Sequence, residues 1–455
     1  MWREAMGDEG MRDLLLLVIV MGSVPISLFE PFYGVLVWIW IAYFNPHRFT
    51  FSYMYEFPVA AVIAAPTLLG ILFTRKINRN PMVRETALLG MLWIWFVITY
   101  LNATRIPLFQ GHIIDAKAEL IRVSKILVMT IVMILLVSTR ERLKYLFLVT
   151  SLSFSLLVLK GALFGVRTSG QYRVWGPPDS FLADNNGFAL AVNMSLPMLF
   201  YLGSVEENRL LKRILQISFV CGIVSVLLTY SRGGLLGLAA VMLTIALKSR
   251  YRVLSGIVLV TCGVLVLTFA PEKWMERMGT LKHETQNVDD SAHQRLVSWG
   301  TTLNFSKDYP IMGGSFDTLP DIDVFQRYET EPLPGGFPSS GPHSIYFQVI
   351  GEQGYVGLIL YLCLIGCCMF SLRRIRSYAR RVTAMNWSFP YLDTLETAFI
   401  GFLVSGAFLG LANFDLFYQL IACTIILKIL VRRELATHLS SPRPETTILA
   451  ESSAA

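Results

Sequence analysis

A histidine just before an apolar run is the residue of this chain best suited to proton transfer. His343 follows two turn-forming residues, Gly341 and Pro342, and the apolar run begins at Ile345. This order predicts that His343 lies at the start of a membrane-spanning helix, close to water. Because the unperturbed pKa of histidine is about 6.5, the side chain can take a proton from a hydroxyl group at neutral pH. A helix-capping or interfacial role is the alternative, since polar residues are common at membrane boundaries.

An arginine between two apolar runs is the second candidate. Arg232 lies in the segment TYSRGGLLGL, where Ser231, Gly233 and Gly234 surround it. A guanidinium group beside backbone N–H groups can bind an oxyanion, and arginine matches phosphate with two parallel hydrogen bonds. The segment therefore predicts phosphate binding by Arg232, with Ser231 and Gly233 in support. Anchoring of a helical hairpin at the membrane interface is the alternative.

Further cations stand near two other apolar runs. Arg167 and Arg173 flank the start of the turn-rich segment QYRVWGPPDSFLADNNGFAL. They could contact the second phosphate of a diphosphate, or they could be solvated loop charges. In the segment DAKAELIRVSKIL, Arg122 and Lys125 lead into an apolar run. These two side chains are expected to line an aqueous vestibule or neutralise a lipid phosphate, or else to belong to an intramembrane ion-pair network.

Three acidic or amide residues are expected to have structural roles and not catalytic ones. Glu352 follows His343 by about two and a half helical turns, so we expect it to point into the membrane and pair with a buried group. Asn413 and Asp415 occupy the last predicted outer turn, where helix capping explains them.

The composition is that of a membrane protein. Hydrophobic residues make up 54% of the 455 residues, charged residues make up 16%, and the mean hydropathy is +0.54. Repeated apolar runs near the bilayer-crossing length predict an all-α polytopic membrane protein. The net charge of +7 is explained by basic cytoplasmic loops and does not imply a nucleic-acid partner. The cysteines all lie in apolar runs, so we expect neither a disulfide framework nor a metal site.

Alternating basic connections indicate about twelve transmembrane helices. We expect an N-terminal bundle of about nine spans at residues 1–270 and one long outer loop at 271–342. The remaining spans lie at 343–431, and a disordered cytoplasmic tail follows at 432–455. The first apolar stretch, residues 14–44, is too long for one straight crossing. It forms either one kinked crossing with an in-plane segment or a tight hairpin.

The outer loop is acidic overall and is predicted to contain two short amphipathic helices. They lie around residues 272–283 and 291–304, and the second carries Trp299 on its apolar face. Both could rest on the membrane surface. The segment PLPGGFPSSGP at residues 332–342 is a turn-rich connection to His343.

Three motifs, in this order, resemble the O-antigen ligase and O-antigen polymerase superfamily. They are TYSRGGLLGL, then Arg295 and Trp299 ahead of YPIMGGSF, and then HSIYFQVIGEQGYVGL. In that superfamily the histidine is usually followed by asparagine, whereas this chain has Ser344. With the continuation IYFQVIGE, the chain looks like the exosortase-associated O-glycosylation ligase branch. The resemblance covers residues 165–370 through motifs and the remainder through hydropathy.

The resemblance implies a GT-C-like glycosyltransferase that needs no metal or other cofactor and acts at the periplasmic face of the bacterial inner membrane. Its donor is a glycan on undecaprenyl pyrophosphate. Arg232 and Arg173 would hold the pyrophosphate, with Arg122 and Lys125 as further contacts, and His343 would be the base. Arg295 and Trp299 would support the site. The acceptor is a sugar of lipid A-core in ligases, another lipid-linked repeat in polymerases, and a hydroxyl side chain in protein ligases.

Among these readings the sequence favours O-antigen ligation to lipid A-core, on the strength of the resemblance and the single long outer loop. Direct attack of a hydroxyl group on an α-linked donor predicts inversion at the anomeric carbon. A transporter of lipid-linked glycan is the non-enzymatic alternative. A transporter should carry ionisable residues near mid-membrane and two related halves, but this chain gathers its charges at one face.

Overall fold

The structure, a computed structural model, describes residues 2–78, 80–269, 290–331 and 341–440. In these ranges the regular secondary structure is helical. The α-helices are α1 (Trp2–Phe29), α2 (Pro31–Phe44), α3 (Val59–Ile71), α4 (Arg84–Ala103), α5 (Ile113–Leu136), α6 (Arg140–Arg167), α7 (Asn185–Val205), α8 (Arg209–Leu228), α9 (Arg232–Lys248), α10 (Arg252–Phe269), α11 (Asp290–Asp308), α12 (Ile322–Tyr328), α13 (Ile345–Ala379), α14 (Phe389–Gly406) and α15 (Asp415–Ser440).

The described helices are those of a polytopic membrane protein. Six of them are long and apolar enough to cross a bilayer by length and composition: α1 from Gly10 onward, α4, α6, α7, α8 and α13. The shorter apolar helices α2 and α3 add to the same apolar body. The all-helical class is therefore confirmed, while the number of twelve spans stays a prediction.

The first apolar stretch forms two helices with a break at Glu30. Helix α1 continues through Pro25, and Glu30 adopts φ −129° and ψ 79° before Pro31 begins α2. Proline suits the first turn of a helix because its missing N–H has no partner there. Close packing holds α1 and α2 on α3, since a Cβ at Gly70 would meet the carbonyl oxygen of Leu28 at 2.4 Å.

Helix α7 lies at the centre of the bundle and packs against α6, α8, α9 and α14. The Nδ2 of Asn193 donates to the carbonyl oxygen of Gly234 at 2.8 Å and to the Oγ of Ser405 at 3.1 Å. A Cβ at Gly237 would meet the Oγ of Ser405 at 1.7 Å. Small residues thus let α7, α9 and α14 approach closely, as membrane helices do, and this fixes the N-terminus of α9.

Helix α13 is interrupted at Gly354, and an irregular segment enters the break. Gly354 has φ 67° and ψ −176°. The segment at residues 309–314 lies against it: Tyr355 N donates to Pro310 O at 2.8 Å, and Gly314 N donates to Gly351 O at 2.9 Å. The motifs YPIMGG and EQGYVG, separate in sequence, therefore form one structural unit.

Ion pairs hold the helices together at the other end of α13. Arg376 and Lys248 both contact Asp393 and Glu396, with the closest N–O distance at 2.7 Å. Deeper in the bundle, Lys428 Nζ lies 2.6 Å from a carboxyl oxygen of Glu85. A buried pair of this kind is costly to break, because one charge would remain without its partner.

Two predicted segments lie wholly or mostly outside the described residues. The amphipathic segment at 272–283 and most of the connection at 332–342 lie outside them. The second amphipathic segment is confirmed as α11, which is longer than predicted. Helix α15 continues to Ser440, past residue 432 where the tail was expected to begin, and residues 441–455 lie outside the described ranges.

Candidate active site

His343 lies just before α13 and is held there by its neighbours. Its φ is 45°, which is uncommon for a residue other than glycine, and Gly341 before it has φ 67°. The indole Nε1 of Trp299 donates to the carbonyl oxygen of Pro342 at 2.7 Å. The Trp299 ring also stacks on Phe347 in α13, with centroids 5.0 Å apart. The backbone on both sides of His343 is therefore fixed, as expected for a positioned catalytic side chain.

His343 lines a cavity of 170 Å³, which we call the inner cavity. Its polar side chains come from four separate parts of the chain, which the fold brings together at one end of α13. Besides His343 they are Glu119, Arg122, Asp317, Gln348, Glu352 and Asn413. Phe181 and Phe414 supply apolar wall. A small cavity with convergent polar groups and a histidine is a candidate active site.

The surroundings of His343 favour its neutral form. Burial lowers the pKa of His343, because the charged imidazolium loses its hydration. The positive charge of Arg295 lowers the pKa further, while the negative charge of Asp184 opposes both effects. Arg295 is on α11, and Asp184 caps α7 by accepting from the backbone N–H groups of Asn186 and Gly187. A neutral imidazole at pH 7 is the form that a general base needs.

Arg232 is the first residue of α9. The Oγ of Ser231 caps the helix by accepting from Gly234 N at 3.0 Å. A Cβ at Gly233 would meet the Cβ of Phe408 at 2.8 Å, so the helix end packs directly on the loop that follows α14. This tight packing is the physical reason for the glycine pair in the motif.

The loop that follows α14 packs between the start of α9 and His343. Phe408 contacts Gly233, and Gly410 lies beside His343. A Cβ added at Gly410 would be 3.6 Å from the Cα of His343. The start of α9 and the candidate base thus lie on two sides of the same short loop. Arg232 itself does not line the inner cavity.

Arg173 lines a different cavity, of 180 Å³, together with Lys160 and Trp175. It is nevertheless close to the start of α9. Burial raises the pKa of Tyr230, and the charge of Arg173 opposes that rise. Tyr230 directly precedes Ser231, and its hydroxyl group donates to the carbonyl oxygen of Gly170. The structure therefore places Arg173 near the α8–α9 turn and not in the inner cavity.

Of the two cations predicted on α5, one faces the inner cavity. Arg122 lines it, forms an ion pair with Glu119, and lies over the ring of Phe181 at 3.7 Å. Arg122 therefore has both of the roles that the sequence left open: it lines a cavity and it belongs to an ion pair. Lys125 is exposed and lines none of the three cavities described here.

The expectation for Glu352 was wrong. Glu352 does not point away from His343 but lines the same cavity, and Gln348 Nε2 donates to its Oε1 at 3.0 Å. The two residues are one helical turn apart and share a face of α13. The oxygen of the Gln348 amide accepts from Ala412 N at 3.1 Å, which fixes this face against the loop after α14.

Asp317 was not singled out from the sequence. It follows the segment at residues 309–314, has φ 55°, and lines the inner cavity. Burial raises its pKa, and the charge of Arg122 opposes that rise. The Gly-rich motif before it signalled an irregular backbone, but not the direction of the carboxyl group. Asn413, interpreted as a helix cap, also lines the cavity.

A larger cavity of 670 Å³, the outer cavity, adjoins the inner one. The two share Glu119, Arg122, Asp317 and Pro320. In the outer cavity, His112 lies 3.2 Å from a carboxyl oxygen of Asp321 and 3.1 Å from the carbonyl oxygen of Gly314. Among the residues that the structure describes, no group of three or more His, Cys, Asp or Glu side chains could hold a metal ion.

Two family models match parts of the chain. The family model described as O-antigen ligase matches residues 217–362, a segment that contains Arg232, Arg295, Trp299 and His343. A second model, described as a family of unknown function (DUF5935), matches residues 11–202. No curated protein matches the chain. The matched segment thus includes both the α9 start and the residue that faces the inner cavity.

Proposed function

We propose that this chain, which belongs to the O-antigen ligase-like superfamily through residues 217–362, transfers a glycan from a lipid pyrophosphate to a hydroxyl group. The proposed donor is an O-antigen-type glycan on undecaprenyl pyrophosphate, and the proposed acceptor is lipid A-core. The reaction would take place at the periplasmic face of the bacterial inner membrane. It would need no metal ion or other cofactor.

The observation that carries this proposal is the placement of His343. His343 is half-buried, lines a cavity, and has a lowered pKa, so the neutral base is present at pH 7. A positioned base of this kind typically accelerates a reaction by about 10² to 10⁴. The neutral Nδ1 or Nε2 would accept the proton of the acceptor hydroxyl while the oxygen forms a bond to the anomeric carbon.

The leaving group would be the lipid pyrophosphate. Its bond to the anomeric carbon breaks, and the electron pair stays on the phosphate oxygen. Charge stabilisation of that oxygen is the main help it needs. The α8–α9 turn supports this role, because Arg232 opens α9 there, Arg173 lies close by, and helix N-termini attract anions. Direct attack implies inversion of the anomeric centre.

Transfer by purified protein tests the proposal. The enzyme would be incubated with lipid-linked glycan and, in separate reactions, rough lipopolysaccharide, a second lipid-linked repeat, or an acceptor protein. We expect product on lipopolysaccharide. Product on the second repeat would identify a polymerase, and product on protein would identify a protein ligase. Transfer to none of the three would contradict the proposed function.

Substitutions test the residue assignment. We expect His343→Ala to lower kcat by about 10² or more, and Arg232→Ala to lower the rate strongly with normal expression. His293→Ala and Arg327→Ala are matched controls, since His293 pairs with Glu331 and neither residue lines the described cavities. Wild-type rates in both His343→Ala and Arg232→Ala would refute the site.

A further inference from the structure

The inner and outer cavities adjoin one another, and His343 lines the inner one. They share the side chains of Glu119, Arg122 and Asp317, so a bound chain of sugars could pass from one into the other. The outer part has 670 Å³ and the inner part 170 Å³. A cleft that narrows toward a base suits an extended molecule whose end reacts. We call the two cavities together the acceptor cleft.

Carboxyl groups dominate the walls of the acceptor cleft. Those of the inner part are Glu119, Asp317 and Glu352, and the outer part adds Asp115, Asp321 and Asp323. The cationic Arg122 is already paired with Glu119, and His112 is held by Asp321 and by the carbonyl oxygen of Gly314. Burial raises the pKa of Asp317, so repulsion of an anion comes mainly from Asp115, Asp321 and Asp323 of the outer part. A phosphate or a carboxylate would therefore be disfavoured in this cleft.

A hydroxyl-rich, uncharged ligand suits the same walls. Carboxylate and carboxamide oxygens accept hydrogen bonds from hydroxyl groups, and bonds to an ionised oxygen are the stronger ones. Asp317, Glu352 and Asn413 offer such oxygens in the cavity that His343 also lines. Phe181 and Phe414 give the cavity apolar walls, so it combines a few polar contacts with an apolar surface.

We propose that Asp317 and Glu352 bind hydroxyl groups of the acceptor sugar and make the enzyme select an uncharged sugar at the position next to His343. The inference rests on the proposed glycan transfer and deepens it. The donor's pyrophosphate then approaches from the arginine side, at the α8–α9 turn, and the acceptor from the carboxyl side. Sorting of the two substrates by charge orients each one toward the imidazole.

Acceptor kinetics test this assignment in the full-length protein at saturating lipid-linked donor. Two acceptors would be compared that differ in one group, a free hydroxyl or a phosphate on the terminal sugar. We expect the wild type to use the uncharged acceptor at least tenfold better in kcat/KM. In Asp317→Asn we expect the KM for the uncharged acceptor to rise about tenfold, as for the loss of a hydrogen bond to a charged group.

The same variant should show an unchanged donor KM, a kcat close to that of the wild type, and weaker discrimination against the phosphorylated acceptor. Glu352→Gln keeps the shape and the contact with Gln348, and we expect the same direction of change. Asp308→Asn is the matched control, because Asp308 lies at the end of α11, outside the cleft, where it accepts from the Tyr328 hydroxyl.

Three results would overturn the inference while leaving glycan transfer intact. One is an acceptor KM in Asp317→Asn and Glu352→Gln equal to that of Asp308→Asn. Another is an increase of the donor KM in place of the acceptor KM. The third is activity that depends on an added divalent cation and loses that dependence in Asp317→Asn, which would assign the carboxyl groups to a metal. By contrast, failure of the wild type with every acceptor would refute the proposed function itself.

Discussion

The imidazole of His343 is placed between opposite charges. Arg295 on α11 disfavours the imidazolium, and Asp184 at the start of α7 favours it. Burial acts in the same direction as Arg295 and is the largest of the three effects. The balance leaves the pKa of His343 below the ordinary value of 6.5, so that the base form persists into mildly acidic solution.

The pH dependence of catalysis should report this balance. Because the neutral form is the active one, kcat/KM should fall on the acid side only below pH 6.5. Arg295→Gln removes a repelling cation, so the pKa of His343 rises and the acid limb moves to higher pH. Asp184→Asn removes the opposing charge, so the limb moves to lower pH. The measurement is kcat/KM against pH for the three proteins.

Asparagine at position 184 keeps an oxygen that can cap α7, so a change in folding should not mimic the effect. Arg327→Gln, on α12, is the control for loss of a cation and should leave the limb in place. An acid limb that coincides in all four proteins would show that another group controls the profile.

The sequence singled out His343 as the candidate base but did not predict its surroundings. His343 could be found because Gly341 and Pro342 before it and an apolar run after it mark a helix start. Glu352 and Asp317 could not be assigned to the same cavity, since helical spacing says nothing about an irregular residue such as His343 or about a loop packed against α13. Arg173 was predicted beside Arg232, and the structure puts it near that turn but in a different cavity.

The break in α13 and the segment at residues 309–314 are the elements that position Asp317 and Glu352. Both glycines at the contact, Gly354 and Gly313, have positive φ, and neither has room for a side chain. A Cβ at Gly354 would be 2.2 Å from the carbonyl oxygen of Ile311, and one at Gly313 would be 2.5 Å from that of Gly351. The two elements can therefore approach only through glycine.

Gly354→Ala should destabilise the protein and reduce transfer. With φ 67° and ψ −176°, Gly354 occupies a backbone region that is essentially restricted to glycine, so a Cβ there costs roughly 1–3 kcal/mol, and the contact with the Ile311 carbonyl adds to that. We expect a lower midpoint of thermal unfolding in detergent, together with lost activity. Gly366→Ala is the control in the same helix, because a Cβ there meets nothing within 4 Å. Equal midpoints for the two variants would contradict the interlocking of the elements.

The sequence marked both motifs but not their contact. The motifs YPIMGGSF and GEQGYVGL are both rich in glycine, which has a low helix propensity, but no break in α13 was predicted from them. Their pairing depends on tertiary packing, which local patterns do not contain. The first apolar stretch is a second example, because the sequence alone does not show whether the helix breaks at Pro25 or at Pro31. Only the second lies at the helix break, since its missing N–H suits the first turn of α2.

For the whole molecule, α13 sets the distance between the site and the opposite face. Its 35 residues correspond to roughly 50 Å of helix, against about 30 Å for the hydrocarbon core of a bilayer. His343 lies at one end, and Arg376 lies in the last turn at the other, paired with Asp393 and Glu396. The apolar periodicity predicted the helical class, whereas the side on which His343 lies was inferred from basic connections.

Cysteine labelling of intact cells checks that orientation. In a chain whose native cysteines are replaced, Gln326→Cys in the exposed part of α12 should react with a membrane-impermeant maleimide added outside. Arg374→Cys, exposed near the other end of α13, should react only after the inner membrane is permeabilised. The basic connection at residues 373–381 motivates this assignment, since such connections stay in the cytoplasm. The reverse labelling pattern would place His343 on the cytoplasmic side, where the proposed periplasmic transfer could not occur.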